Sequence, residues 1–246
     1  MLSEQIQQNK FSMKHLAERL RDSLMPQHME VAPSPHFYCQ NVFEADFFDA
    51  IRSAMPNSEH YGSMAERTAN PRAKSRRVQP LSVDKLDHLP AQQREFWVEM
   101  AKFFRSDEFT VIALSAYSPF LAGHRPDVLS HTQFDIRFEL LRDTTSYGIG
   151  PHSDHPNKVM TLLFYLSAGE VTESLGTSFY EPKQSGFECP SGRHYPVEAF
   201  RRLKTYPYAP NTALSFLRTN SSFHGVETIT DHQVERNILR WMLWKR

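Results

Sequence analysis

The chain has 246 residues, of which 40% are hydrophobic, 12% aromatic and 23% charged, and its 28 lysines and arginines balance 28 aspartates and glutamates. That composition belongs to a folded globular protein with enough chain for a sizeable core, and it excludes disordered, collagen-like and coiled-coil architectures. A net charge of zero removes the general electrostatic drive toward phosphate backbones and anionic membranes, so neither nucleic acid nor a membrane is expected as a partner.

The longest uncharged stretch, near Val111 to Gly123, is too short and too broken by Ser and Pro to span a bilayer. The segment Met1 to Leu20 mixes polar, charged and apolar side chains and lacks the apolar core of a signal peptide, so a cytoplasmic protein is expected. Two cysteines, Cys39 and Cys189, cannot staple a chain of this size, and neither has zinc-finger spacing. Both read as reduced thiols.

One domain is expected over 1–246, with a mostly helical part over 1–109 packed on a β core over 110–246. Met13, Leu16, Leu20 and Leu24 form an apolar stripe on a first helix that ends before Pro26. A second stripe runs through Phe43, Phe47, Phe48 and Ile51, and Ala91 to Phe104 reads as a third helix. Between them, the stretch from Arg67 to Arg77 carries Arg67, Arg72, Lys74, Arg76 and Arg77 and no acid, with Asn70-Pro71 marking a loop. A solvated basic loop is the ordinary reading; the bolder one makes Arg72, Lys74, Arg76 and Arg77 a lid over an anionic substrate.

From Thr110 the texture changes to short β-branched and aromatic runs between turn residues. Strands are expected at Thr110 to Tyr117, Gln133 to Leu141, Val159 to Ser167, Thr177 to Tyr180, Ala213 to Arg218, Val226 to Thr230 and Val234 to Trp244. This predicts a mainly β fold, a double-stranded β-helix (jelly roll) core with N-terminal flanking helices. Glu181 to Pro210, rich in Pro, Gly and Tyr, reads as a long insertion between strands.

The chemistry concentrates in Tyr147-Gly-Ile-Gly-Pro-His152-Ser-Asp154-His155-Pro, just before the strand from Val159. An imidazole and a carboxylate two residues apart in extended chain project to one side and can hold one metal ion. His224 follows in Ser222-Phe-His-Gly-Val, at the start of another short strand, and Arg236 opens the run Arg236-Asn-Ile-Leu-Arg-Trp241. Two histidines and one carboxylate suit one face of an octahedral iron(II), and a guanidinium suits the far carboxylate of a dicarboxylic acid.

The order His-x-Asp, distant His, then Arg resembles the iron(II) and 2-oxoglutarate dependent oxygenase superfamily over about Tyr147 to Trp244, nearest in texture to its prolyl-hydroxylase-like branch. The resemblance implies Fe(II) held by His152, Asp154 and His224, with 2-oxoglutarate as cosubstrate and O2 as oxidant. It also implies that Arg236 and Tyr165 bind the 2-oxoglutarate carboxylate and that Thr161 lines its pocket. The implied activity is hydroxylation of a C–H bond in a small-molecule or amino-acid-like substrate, with 2-oxoglutarate converted to succinate and carbon dioxide. Peptidyl proline stays open as a substrate.

Arg142, Tyr147, His155 and Arg218 are further candidates for substrate contact, each with an ordinary packing or surface reading beside it. Two other functions stay open at this point: a non-oxidative metal hydrolase, since the same ligands suit zinc, and a non-catalytic jelly-roll binding module. Arg236 and Arg240 share one face of the last strand. A hairpin between Val226 to Thr230 and Val234 to Trp244 would place Arg240 nearly opposite His224, which favours Arg236 for the more distant carboxylate.

Overall fold

A computed structural model describes residues 12–25, 29–68, 73–130, 133–169, 171–190, 192–231 and 234–246. Eight antiparallel strands are divided between two facing sheets: β4 (Phe134–Asp143), β5 (Ile149–His152), β6 (Lys158–Tyr165), β7 (Thr172–Pro182), β8 (Phe200–Tyr208), β9 (Thr212–Leu217), β10 (His224–Val226) and β11 (Arg236–Lys245). The small sheet has the order β5-β10-β7-β8. The large sheet carries β9-β6-β11-β4 at its centre and is widened at its edges by β1 (His36–Gln40), β2 (Gly62–Ser63) and β3 (Arg76–Pro80). Strands that cross repeatedly between two sheets make the expected double-stranded β-helix.

The helices are α1 (Met13–Ser23), α2 (Ala45–Ser53), α3 (Met64–Thr68), α4 (Ala91–Phe104), α5 (Asp107–Ser115), α6 (Ser118–His124) and α7 (Pro126–Leu129). α1 starts where Ser12 accepts from the His15 N–H, and it buries Leu16 and Leu20 from the expected stripe. Helical side chains such as Phe47, Trp97, Phe104 and Phe109 form one core with Phe138, Phe164 and Trp241 on the outer face of the large sheet. A second core fills the space between the sheets, and a third, around Cys189, Phe200 and Phe223, lies under residues 183–199. Among the described residues, no helix is long and apolar enough to cross a membrane.

Three expectations need correction. Thr110 to Tyr117 is not a strand: Thr110 to Ser115 belong to α5. Ser106 caps that helix by accepting from the Phe109 N–H, Asp107 and Glu108 favour its positive end, and Phe109, Ile112 and Ala113 bury one face. These terms outweigh the β preference of Thr110, Val111 and Ile112. The β core therefore begins at Phe134, and strands β1 to β3 arise within the part expected to be helical.

The insertion is also shorter than Glu181 to Pro210, because β7 runs to Pro182 and β8 occupies Phe200–Tyr208. β8 is an edge strand with a largely exposed face, so its charges and Pro207 imitate a loop. Finally, β10 and β11 form no hairpin. β10 pairs with β5 and β7 in the small sheet, whereas β11 pairs with β4 and β6 in the large one. β10 and β11 thus lie in different sheets, so His224 and Arg236 stand on opposite walls of the barrel.

Candidate metal centre

His152 ends β5 and His224 begins β10, and the two are directly paired across the small sheet. Asp154 follows two residues after His152, in the turn that leads into β6. One ligand atom from each of the three lies within 4.8 Å of the others. His152 Nε2 and Asp154 Oδ1 are 3.9 Å apart, as are His224 Nε2 and Asp154 Oδ2.

The backbone sets both imidazoles for coordination. His152 Nδ1 donates to the Gly150 carbonyl at 3.0 Å, and His224 Nδ1 donates to that of Ser222 at 2.9 Å. Each hydrogen bond puts the proton on Nδ1 and leaves a lone pair on Nε2, the atom that faces Asp154. Burial lowers the pKa of both rings, further for His152 beside His224, and so favours the neutral ligand form. Burial alone would raise Asp154, but Lys158, 2.7 Å away, together with the two imidazoles holds its carboxyl far below the usual range. Thr161 Oγ1 donates to Asp154 Oδ2 at 3.2 Å. Two neutral imidazoles and one oriented carboxylate are a fitting donor set for a divalent metal ion.

Close approach of strands makes this possible. A methyl group at Gly225 would sit 2.5 Å from the Ile149 carbonyl oxygen, so only glycine lets β10 lie against β5 beside His224.

The three candidate ligands open into a cavity of about 360 Å³ that also reaches Thr161, Thr177, Arg236 and Arg240. Arg236 is 1% exposed and sits in a cage. Its Nε donates to the Leu175 carbonyl at 2.5 Å, Nη1 to Asp143 Oδ2 at 2.9 Å and Nη2 to Thr177 Oγ1 at 3.1 Å. One hydrogen on each Nη is left for another acceptor, since a guanidinium has five. Tyr165, fully buried, donates to Thr177 Oγ1 at 2.7 Å and lies under the Arg236 guanidinium, 5.4 Å from ring centroid to Cζ. Asp143 is shared: Arg76 grips it bidentately at 2.6 and 2.7 Å. Two guanidinium groups on one carboxylate leave one net positive charge at the Arg236 end.

The structure thus brings His152, Asp154, His224, Thr161 and Arg236 to one cavity, with Tyr165 directly behind it. Tyr147 lines the cavity under Arg76, 4.0 Å from Cζ to ring centroid. His155 stands exposed at the rim, its ring 5.6 Å from that of Trp244.

Arg142 and Arg218 do not reach the cavity. Strand alternation turns Arg142 to the outer face of β4, where it binds Ser58, Pro56 and Asn237 and covers Tyr61. Arg218 is fully engaged: it donates to the carbonyls of Asp154, Cys189 and Pro190 and to Asn220 Oδ1, and so ties the turn carrying Asp154 to Cys189 and Pro190. Of the supposed basic lid, Arg76 and Arg77 belong to β3, Lys74 lies in the turn before it, and Arg72 falls outside the described residues.

Sequence reasoning misses Asp143, Thr177, Lys158 and His194. Asp143 and Thr177 carry no local motif, and only strand pairing shows what they touch. Lys158 sits four residues after Asp154, a spacing that could have pointed to it. His194 stacks on His152 with centroids 4.5 Å apart, placed there by a bridge between the two residues.

No family model and no curated protein matches this chain. Solved structures share its fold, the double-stranded β-helix of the iron(II) and 2-oxoglutarate oxygenases. The chain is similar to a prolyl hydroxylase from Trichoplax adhaerens in complex with a hypoxia inducible factor peptide, with a TM-score of 0.57 and 12% identity over 97% of this chain and 94% of that one. It is similar to the alpha ketoglutarate dependent epimerase SnoN from nogalamycin biosynthesis, with a TM-score of 0.53 and 12% identity over 95% and 83%. The carbocyclase SnoK from the same pathway gives a TM-score of 0.51 and 13% identity over 96% and 85%.

Proposed function

We propose that this protein is an Fe(II) and 2-oxoglutarate dependent dioxygenase that hydroxylates a C–H bond of a small-molecule or amino-acid-like substrate. The observation that carries the reading is the single cavity with two Nε2 lone pairs and a buried carboxylate at one place and a caged, net-positive arginine at another. A zinc hydrolase or a binding module needs the first feature or neither; a dicarboxylate cosubstrate chelated at the metal needs both.

His152, Asp154 and His224 would hold the iron. Bound there, iron supplies the oxidising chemistry with dioxygen while 2-oxoglutarate ends as succinate and carbon dioxide. The chain's own part is binding and orientation. Arg236 offers its two remaining N–H groups to the far carboxylate, and Thr177, held by Tyr165, keeps the guanidinium aimed. Thr161 fixes the rotation of Asp154. Leu141, Leu163, Ile238 and Val226 line the cavity and keep water from the polar groups.

The test is anaerobic loading with Fe(II), with metal content and 2-oxoglutarate binding measured directly, followed by succinate release in air. One iron per chain, lost in Asp154→Ala, and slow 2-oxoglutarate turnover without substrate are expected. Metal binding without any affinity for 2-oxoglutarate would overturn the reading in favour of a hydrolase. No metal binding would favour a binding module.

A further inference from the structure

Beside the metal cavity, and sharing Lys158, His194, Arg240 and Trp244 with it, lies an outer cavity of about 460 Å³. Its cationic lining is Arg76, Arg137, Lys158 and Arg240, and no acid lines it among the described residues. Arg76 is paired with Asp143, Lys158 with Asp154 and Arg240 with Glu139. Glu139, 2% exposed, is gripped by Arg67 at 2.6 Å and by Arg240. This repeats the arrangement at Asp143: two guanidinium groups share one carboxylate, and one positive charge is left over. At Asp143 the surplus has an assigned partner, the cosubstrate carboxylate; at Glu139 it has none.

Two unpaired donors mark the same wall. Arg240 Nε and Trp244 Nε1 are buried nitrogens with no hydrogen-bond partner among the described residues. Both side chains come from the inner face of β11, and both line the two cavities. Elsewhere the wall is apolar, with Met64, Ile149, Tyr147 and Met242.

We infer that the outer cavity is the substrate site and that the substrate is a small carboxylic acid with an apolar body, its carboxylate drawn to the Arg240 guanidinium by the surplus charge of the Arg67–Glu139–Arg240 group. The inference rests on the proposed oxygenase reading, because it uses the shared wall to present the apolar body to the metal cavity. Arg137, stacked on Trp244 at 4.0 Å, holds the indole in place.

The test uses protein loaded anaerobically with Fe(II) and 2-oxoglutarate, whose own binding is recorded first. Phenylacetate and benzoate are then titrated calorimetrically, each against its neutral amide. Saturable binding of an acid, at least tenfold tighter than its amide, is expected. Arg240→Gln should weaken that binding tenfold or more, Arg240→Lys should restore part of it, and neither should alter iron or 2-oxoglutarate binding. Arg67 still holds Glu139 in these variants, and circular dichroism checks that they fold. Equal binding of acid and amide, no binding of either acid, or binding indifferent to Arg240→Gln overturns the inference while leaving the oxygenase reading intact. Loss of iron or 2-oxoglutarate binding in the wild type condemns that reading instead.

Discussion

Arg236 and Arg240 lie four residues apart on one face of one strand, and their neighbours give them different work. Arg236 is caged by Leu175, Asp143 and Thr177 at the closed end, while Arg240 leans on Glu139 at the open wall. Arg236→Ala is therefore expected to weaken 2-oxoglutarate binding by about two orders of magnitude, the equivalent of roughly 3 kcal/mol for one lost partner of a buried pair. Arg240→Ala should change it little, and titration of the iron-loaded variants checks the ranking. Glu139 adds a pH signature. Burial would raise its carboxyl, but Arg240 and Arg67 hold it down at about 2, below its ordinary 4.5. A depressed folded-state value stabilises fully above the unfolded value and is lost as pH falls toward the folded one. The difference in melting temperature between wild type and Glu139→Gln should thus be constant near neutrality and shrink between pH 4.5 and about 2.

At the scale of elements, β10 is only three residues long, yet it carries His224 of the candidate metal centre and pairs on both sides. Its position depends on Gly225. Gly225→Ala should push β10 off β5, since the added methyl meets a backbone carbonyl that cannot move aside cheaply. The expected outcome is a metal affinity lowered at least tenfold with all three ligands present, read by competition with a chelator. The helix α5 teaches the converse lesson. Its composition favours a strand, but a Ser106 cap, two acids in the first turn and an i, i+3, i+4 buried face decide for helix.

For the whole molecule, the decisive packing is three layers: helices, large sheet, small sheet. Trp241 joins the first two, donating its Nε1–H to the Phe104 carbonyl at 2.7 Å and meeting Phe109 edge-on. Trp241→Ala removes a fully buried indole and should cost about 3–5 kcal/mol, a fall in melting temperature on the order of 10 °C. A calorimetric scan checks it, and a single transition in both proteins is expected because helices and sheet share one core.

The candidate metal triad is legible in the amino-acid sequence because His152, Asp154 and His224 are marked by residue type, spacing and strand context, all properties of the chain read in line. The α1 stripe and the span of α4 are legible for the same reason, as local periodicity survives folding. What belongs to tertiary structure alone is pairing across the barrel. No local pattern says that β10 and β11 lie in opposite sheets, that Arg142 turns outward, or that Arg218 is consumed by three carbonyls. The buried acids Asp143 and Glu139 are likewise silent in the sequence. Each becomes a counter-ion only when β3, β4 and β11 align in register, because charge at close range acts through space and not along the chain.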